Sequence, residues 1–268
     1  MTIQEILPYN NNKSNKKMDL DIILPFIILP ILLLVATLSR AVTLTVMIFI
    51  GMGALYVISR PRHRNRSPFF YSWTLSSGLY MFLIFEMIVM DFWEITYYEN
   101  VVFLSLITFT CYFFYKMKST ADFELATGTC KGNDYSPVLT SDSHYCKICE
   151  IEVSEGYFHS IWWDCCVLKP NYGYFLLGHM FTLATLLYGT NLTLTTICQP
   201  YIFYGPILMP EDCSDVYNEF YLALCFVTCV YSLGYVSVIC LVFLHQLLKN
   251  IPKYGESQWQ RIVHAFNV

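Results

Sequence analysis

Four residues spaced as Cys146-x2-Cys149-x9-His159-x6-Cys166 carry the clearest chemistry in this chain. Two thiolates three positions apart at a tight turn fit adjacent corners of a tetrahedron, and an imidazole with a third thiolate completes a Cys3His set suited to zinc. The competing reading is a set of remnants without metal, with Cys146 and Cys149 as ordinary reduced thiols. Around His159 the stretch GYFHSIWWDCCVLKPNYGYF, residues 156–175, adds Ser160, Trp162 with Trp163, and Cys165 beside Cys166. Cys165 reads either as a displaced nucleophile near His159 or as a surface thiol, an acceptor for S-acylation beside a membrane.

These residues sit in a chain built for a bilayer. Of 268 residues 56% are apolar, 17% aromatic and only 13% charged, against about 25% charged in soluble domains. Each hydrocarbon crossing needs roughly 20 apolar residues, and six such runs lie near 20–38, 41–58, 69–90, 100–115, 175–198 and 219–248. The expectation is an all-α polytopic membrane protein with six transmembrane helices. Its segments are an N-terminal tail at 1–19, four spans over 20–116, a cysteine-rich segment at 117–174, two spans over 175–248 and a C-terminal tail at 249–268. Only Ser39 and Arg40 separate the first two runs, which predicts a tight hairpin, and Pro25 and Pro30 are expected to kink the first helix. The fourth span is short, with Tyr97, Tyr98, Tyr112 and Tyr115 suited to its interfaces. The first run begins after a cationic tail, is long and lacks a small-residue cleavage site, which reads as a signal anchor.

Lys and Arg are retained on the cytosolic side of membranes. With six spans, fifteen of the sixteen basic residues fall on one side: Lys13, Lys16 and Lys17; Arg60, Arg62, Arg64 and Arg66; Lys116, Lys118, Lys131, Lys147 and Lys169; and Lys249, Lys253 and Arg261. Arg40 alone lies opposite, beside loops bearing Asp91, Glu94, Glu99, Glu211, Asp212 and Asp215. Both termini are therefore predicted cytosolic. The net charge of −4 is sorted across the membrane, and no basic stripe suggests nucleic acid as a partner. Cys130, Cys146, Cys149, Cys165 and Cys166 then face the reducing cytosol, where metal binding or reactivity outranks disulfides. Cys198 and Cys213 face the oxidising side, either paired or as two free thiols. Cys111, Cys225, Cys229 and Cys240 read as small packing residues within spans.

The segment 117–174 is loop-rich and short of aliphatic residues, so a compact fold there needs a metal, the membrane surface or the spans. Glu86, His179 and His245 lie near span ends, where snorkelling or a neighbouring hydroxyl would satisfy them. Trp259, Ile262, Val263 and Phe266 recur at helical spacing and predict a short helix with one apolar face; the alternative is a frayed tail. The sequon at 191–193 falls inside the fifth span, out of reach of glycosylation.

HSIWWDCCVLKPNYGYF resembles the heart of the DHHC palmitoyltransferase domain, in which Asp-His-His-Cys precedes a Trp, a Cys with Val or Ile, an Asn and a Phe. His159 falls on the second His, Trp162 on the Trp, Cys166 on the downstream Cys, Val167 beside it, Asn171 on the Asn and Phe175 on the Phe. The stretch 186–198 is also similar to the span following that domain in the animal group of the family numbered twenty-three and twenty-four. What the resemblance implies is transfer of palmitoyl from palmitoyl-CoA to a substrate cysteine through a thioester on the fourth residue of the tetrapeptide. In that scheme the first His is the base, the Asp orients it, and the second His with the downstream Cys binds zinc.

The departures fall on the chemistry. Where the family has Asp, His, His and Cys, this chain has Tyr157, Phe158, His159 and Ser160. Ser160 occupies the nucleophile position, Phe158 the base position and Tyr157 the orienter position, while His159 and Cys166 keep their ligand chemistry. A thiol supplies a few per cent thiolate at neutral pH, whereas a serine hydroxyl is inert without a base, and Phe158 accepts no proton. Losing nucleophile and base together removes most of about 10⁶-fold of rate in systems where they act as a unit. Only seven residues, 150–156, separate Cys149 from the tetrapeptide position, and half the family's usual ligands for two zincs are gone. One pair from each of two former sites would then merge around a single zinc. The Thr-Thr-x-Glu motif after the family's last span keeps at best Glu256 in IPKYGE.

The resemblance thus implies a degenerate DHHC-type protein, a pseudoenzyme of the ER or Golgi. Its partners would be the lipid bilayer, acyl-CoA, protein substrates or another acyltransferase. The alternative is a polytopic receptor or transporter that matches the motif by chance.

Overall fold

A computed structural model describes residues 15–59, 68–92, 95–127, 144–146, 148–149, 151–153, 158–198, 201–204, 207–210 and 212–266, with backbone alone at 15–19, 57–59, 127, 144–145, 151–153, 201–204, 207–210, 242 and 245–266. The expectations for Lys13, for the basic residues at 60–66, for Cys130, Lys131 and Lys147, and for Tyr157 lie outside the described residues. So do those for the side chains of His245, Glu256 and the apolar face at 259–266.

Long, largely apolar runs close their backbone hydrogen bonds within helices, and six α-helices lie among the described residues: α1 (Asn15–Ala36), α2 (Arg40–Ser59), α3 (Phe69–Ile84), α4 (Tyr97–Thr127), α5 (Tyr172–Ile197) and α6 (Phe220–Phe266). Three are long and apolar enough to cross a membrane: Phe69–Phe92, Tyr97–Ala126 and Phe220–Leu241. Leu20–Ala36 and Arg40–Tyr56 are shorter apolar helices. α5 has the length but is more polar, with six threonines, His179 and Asn191. Thr182, Thr185, Thr193, Thr195 and Thr196 each donate to the carbonyl four residues back, and Thr190 donates to Ser232 of α6 at 2.9 Å. Hydroxyls satisfied this way let a polar helix sit inside an apolar bundle.

α1 is one helix across both prolines. Pro30 has no N–H to offer the carbonyl of Phe26, four residues earlier. Tyr80 of α3 supplies the missing donor, its hydroxyl reaching the Phe26 oxygen at 2.7 Å. The expected hairpin is present, with α2 starting where Ser39 Oγ accepts from Val42 N at 3.3 Å and Thr43 Oγ1 donating back to the Ala36 carbonyl at 2.7 Å. α3 runs on through a π turn (Phe85–Val89) and a 3-10 turn (Met90–Phe92). Thr96 and Glu99 then form a capping box for α4, Glu99 Oε2 accepting from Thr96 N at 2.8 Å.

Two boundaries differ from expectation. α4 is 31 residues long, so the fourth span is not short, and the first part of the segment expected to be loop is its helical extension. Its inward side, Phe114, Met117 and Ala121, is buried against the downstream residues Cys165, Val167 and Phe175. That packing sustains the helix beyond its most apolar portion. α6 is 47 residues long, so the residues expected to form a separate terminal helix continue the last span without a break.

Among the described residues six short strands make three antiparallel pairs: β1 (His144–Cys146) with β2 (Ile151–Val153), β3 (Phe158–Ser160) with β4 (Cys165–Val167), and β5 (Tyr201–Tyr204) with β6 (Ile207–Pro210). The all-helical expectation therefore holds for the bundle but not for the cysteine-rich segment. β5 and β6 lie between Cys198 and Cys213, which are joined as a disulfide with Cα atoms 4.8 Å apart.

α4 packs on α5 and α5 on α6, while α3, α4 and the start of α5 meet the cysteine-rich segment. Where α5 crosses α4, a Cβ at Gly178 would lie 2.8 Å from the Phe114 ring and one at Gly189 2.7 Å from Phe103. Trp73 Nε1 and Ser77 of α3 meet the buried Tyr231 hydroxyl of α6 at 2.9 and 2.8 Å.

Tyr80→Phe is expected to orphan the Phe26 carbonyl and to destabilise the purified protein by about 1–3 kcal/mol, read as a lower melting midpoint in detergent. In a Pro30→Ala background a helical N–H satisfies that carbonyl, and the same substitution should cost measurably less.

Candidate metal centre

The β1–β2 and β3–β4 hairpins each end on ligand-type side chains. In the first register Cys146 lies opposite Ile151, and Cys149 follows in the intervening turn; in the second His159 lies opposite Cys166. Antiparallel pairing thus places an imidazole and a thiol side by side across one hairpin and two thiols at the turn of the other. The ligand atoms of Cys146, Cys149, His159 and Cys166 all lie within 4.8 Å of one another. His159 Nδ1 is 3.3 Å from Cys149 Sγ and 3.7 Å from Cys166 Sγ.

A tetrahedral zinc with bonds of about 2.3 Å to sulfur and about 2.0 Å to nitrogen sets its ligand atoms roughly 3.5–3.8 Å apart. The donor set suits that ion, and the two His159 separations lie near that spacing. The electrostatics agree, because the hydrogen bond that the Cys166 thiol gives to the Cys149 sulfur, burial and the neighbouring Cys149 and Cys146 sulfurs push the Cys166 thiol well above its ordinary pKa. Three thiolates cannot share this space without a cation among them. Leu125 of α4, Ile148 and Leu168 cover the cluster with apolar surface.

The cluster is tied to the helices through the turn 161–164 and through Asn171. Trp163 stacks on Phe114 of α4, with ring centroids 3.7 Å apart, and Trp162 meets Phe70 of α3 edge-on at 4.8 Å. Lys118 donates to the Trp163 carbonyl at 3.3 Å and lies 4.2 Å above the Tyr71 ring. Asn171, fully buried, accepts from Leu168 N at 2.6 Å and donates to the carbonyls of Met117 at 3.2 Å and Cys166 at 3.0 Å. One amide side chain therefore fastens β4, α4 and the start of α5 together.

Among the residues expected to matter, the four metal-ligand candidates converge. Ser160 lies at the end of β3, buried and opposite Cys165. Phe158 packs edge-on against Phe175 at 5.5 Å within an apolar cluster. Cys165 is not a surface thiol. It is fully buried among Phe114, Met117 and Val167, and burial pushes its pKa up to about 12. It faces inward because β4 follows directly on a turn held down by two tryptophans.

The polar residues within the helices are held differently from the expected snorkelling. His179 is buried, with Nδ1 2.8 Å from the Phe175 carbonyl and rings of Phe114, Phe175 and Phe243 around it. Glu86 Oε2 accepts from Asn100 Nδ2 at 3.4 Å, while Glu86 Oε1 and Asn100 Oδ1 are buried without a hydrogen-bond partner.

Lys118 and Asp164 were not anticipated. Lys118 reads in sequence as one more cytosolic charge, and only the helical extension of α4 carries it over Tyr71. Asp164 has φ 48°, the one positive φ outside glycine among the described residues, and its carboxylate lies 3.8 Å from His159 Nε2. An Asp ending the four-residue turn between β3 and β4 was the available signal, since Asp tolerates that backbone.

Comparison with known proteins bears on the same segment. The DHHC palmitoyltransferase family model matches residues 135–263. Palmitoyltransferase ZDHHC23-B of Danio rerio is 35% identical over 107 residues, 40% of this chain and 23% of that protein. Palmitoyltransferase ZDHHC23 of Homo sapiens is 35% identical over 105 residues, 39% of this chain and 25% of its own length. The matched stretch thus spans a quarter or less of these relatives. No solved structure matches the chain significantly. The family match displaces the reading of a receptor or transporter with a chance motif.

Metal analysis of the purified protein is expected to give about one zinc per chain and to lose it in Cys146→Ser. Asn171→Ala should lower the melting midpoint whether or not metal is bound, since each backbone group it orphans costs about 1–3 kcal/mol.

The ligand spacing, the buried asparagine and the 135–263 match agree: over those residues this membrane protein is similar to the DHHC palmitoyltransferase family.

Proposed function

We propose that this chain is a zinc-holding DHHC-family membrane protein that has lost acyl transfer and acts by binding. Its occupants would be a substrate protein, acyl-CoA or a partner acyltransferase. The zinc would sit in the Cys3His cluster as a structural ion and palmitoyl-CoA would be the family's acyl donor. All six helices would cross the membrane, with spans over 20–116 and 175–248, the cysteine-rich segment 117–174 between them, and the tails 1–19 and 249–268 cytosolic. The disulfide at Cys198 and Cys213, on the far side from the thiol cluster in that arrangement, is consistent with it. The organelle would be the ER or Golgi.

The observation that carries the reading is the use made of the base position. Phe158 is committed to an apolar contact with Phe175, and it stands two residues from the buried hydroxyl of Ser160. A hydroxyl in that setting has no group at position 158 to take its proton, and an acyl-serine would in any case be an ester, less ready than a thioester to pass its acyl group to cysteine. Cys165 does not replace it, because a buried thiol with a raised pKa supplies almost no thiolate. What remains is a metal-braced hairpin docked on the helices, a scaffold able to present a surface without reacting.

Incubation with a clickable palmitoyl-CoA analogue tests this. Wild type and Ser160→Ala should show equal, background labelling. Phe158→His combined with Ser160→Cys should gain label that neutral hydroxylamine removes, and Ser160→Cys alone should gain less. Hydroxylamine-sensitive turnover by the wild type would overturn the proposal.

A further inference from the structure

We propose that Asp164 is a positioning residue for the metal centre, holding the His159 ring through Nε2 so that Nδ1 presents its lone pair to the ion; this rests on the zinc reading above. His159 turns Nδ1 toward the sulfurs of Cys149 and Cys166, at 3.3 and 3.7 Å. A nitrogen that ligates a metal must be deprotonated, so the ring proton belongs on Nε2. The group facing Nε2 is the Asp164 carboxylate, with Oδ1 at 3.8 Å. Both side chains are nearly enclosed, at 11% and 12% exposure, so water screens their interaction weakly.

The separation exceeds a hydrogen bond and is that of an ion-pair contact. It is sufficient to select the tautomer. A carboxylate repels a lone pair on Nε2 and attracts an N–H there, which leaves the lone pair on Nδ1. The same field makes the imidazole a stronger donor to a cation.

The backbone is shaped to deliver this carboxylate. Ser160 pairs with Cys165 and His159 with Cys166, so residues 161–164 close the hairpin and Asp164 ends the turn two positions before a ligand. It reaches that place at φ 48°, a conformation that costs most side chains about 1 kcal/mol or more and that Asp tolerates better. Trp162 and Trp163 anchor the turn on α3 and α4. The position of the carboxylate is thereby coupled to the helices.

A residue chosen only to suit the turn predicts something different from a residue that orients a ligand. Asp164→Gly allows the positive φ without a carboxylate. Asp164→Asn keeps the shape, the backbone tolerance and one acceptor oxygen without the charge. The full-length protein, its Asp164→Gly and Asp164→Asn variants and a Cys149→Ser control would be purified in detergent. Three quantities would be read: zinc affinity by competition with a chromophoric chelator, the cobalt(II) ligand-field spectrum after exchange, and the melting midpoint of the metal-free protein.

Outer-shell partners of this kind typically contribute 10–100-fold to metal affinity. Asp164→Gly should weaken zinc binding by about that factor, Asp164→Asn by less, with shifted cobalt bands and metal-free stability unchanged in both. Affinities and spectra equal to wild type in both variants would overturn the inference while leaving the zinc centre standing. A loss confined to metal-free stability would overturn it also, in favour of a turn role. Absence of zinc from wild type as well as from Cys149→Ser would remove the metal reading and this inference with it.

Discussion

Three thiols and an imidazole held within 4.8 Å are the constraint around which the cysteine-rich segment is organised. Two hairpins of three-residue strands are far below the size at which sheet pairing stabilises itself. Their closure needs a cross-link, and the donor cluster provides a place for one at the point where the hairpins meet. The unfavourable crowding of sulfurs becomes favourable once a divalent cation sits among them, so metal affinity and folding of this segment are one equilibrium. The remaining contacts then make sense as fastenings. Asn171 ties the strand bearing Cys166 to α4 and α5, and the tryptophan turn wedges against α3 and α4.

The residues around the tetrapeptide position take part in that packing. Phe158 extends the apolar cluster of Phe114, Val167 and Phe175, and Cys165 fills the same space from the facing strand. An aromatic ring at the base position adds buried apolar surface where a histidine would have required a hydrogen-bonding partner. His159 and Cys166 pair across the same hairpin with their ligand atoms in the Cys3His cluster.

Much of this was legible in the sequence, unevenly. The Cys-x2-Cys-x9-His-x6-Cys spacing located the cluster because metal ligands are chosen by chemistry that few other roles imitate. The apolar runs located the helices, and the Ser39–Arg40 break located the α1–α2 hairpin. The extension of α4 to Thr127 was not legible, because Met117 and Ala121 become buried only by contact with residues some 45 or more positions later, a tertiary effect that no local pattern carries. The short strands of the cysteine-rich segment were missed for a related reason: three residues show no alternation, and their pairing goes with the ligand cluster and the docked turn. Pro30 signalled a disturbance in α1 correctly as to place but not as to outcome, since the donor that replaces its missing N–H is Tyr80, fifty positions away. Asp164 lay beside a recognised ligand, yet its importance depends on a φ that is visible only in the fold.

Zinc K-edge absorption on the purified wild-type protein tests the central constraint most directly. The account predicts a single ordered zinc shell of three sulfurs at about 2.3 Å and one nitrogen at about 2.0 Å. A shell dominated by oxygen and nitrogen, or no bound zinc at all, would contradict it.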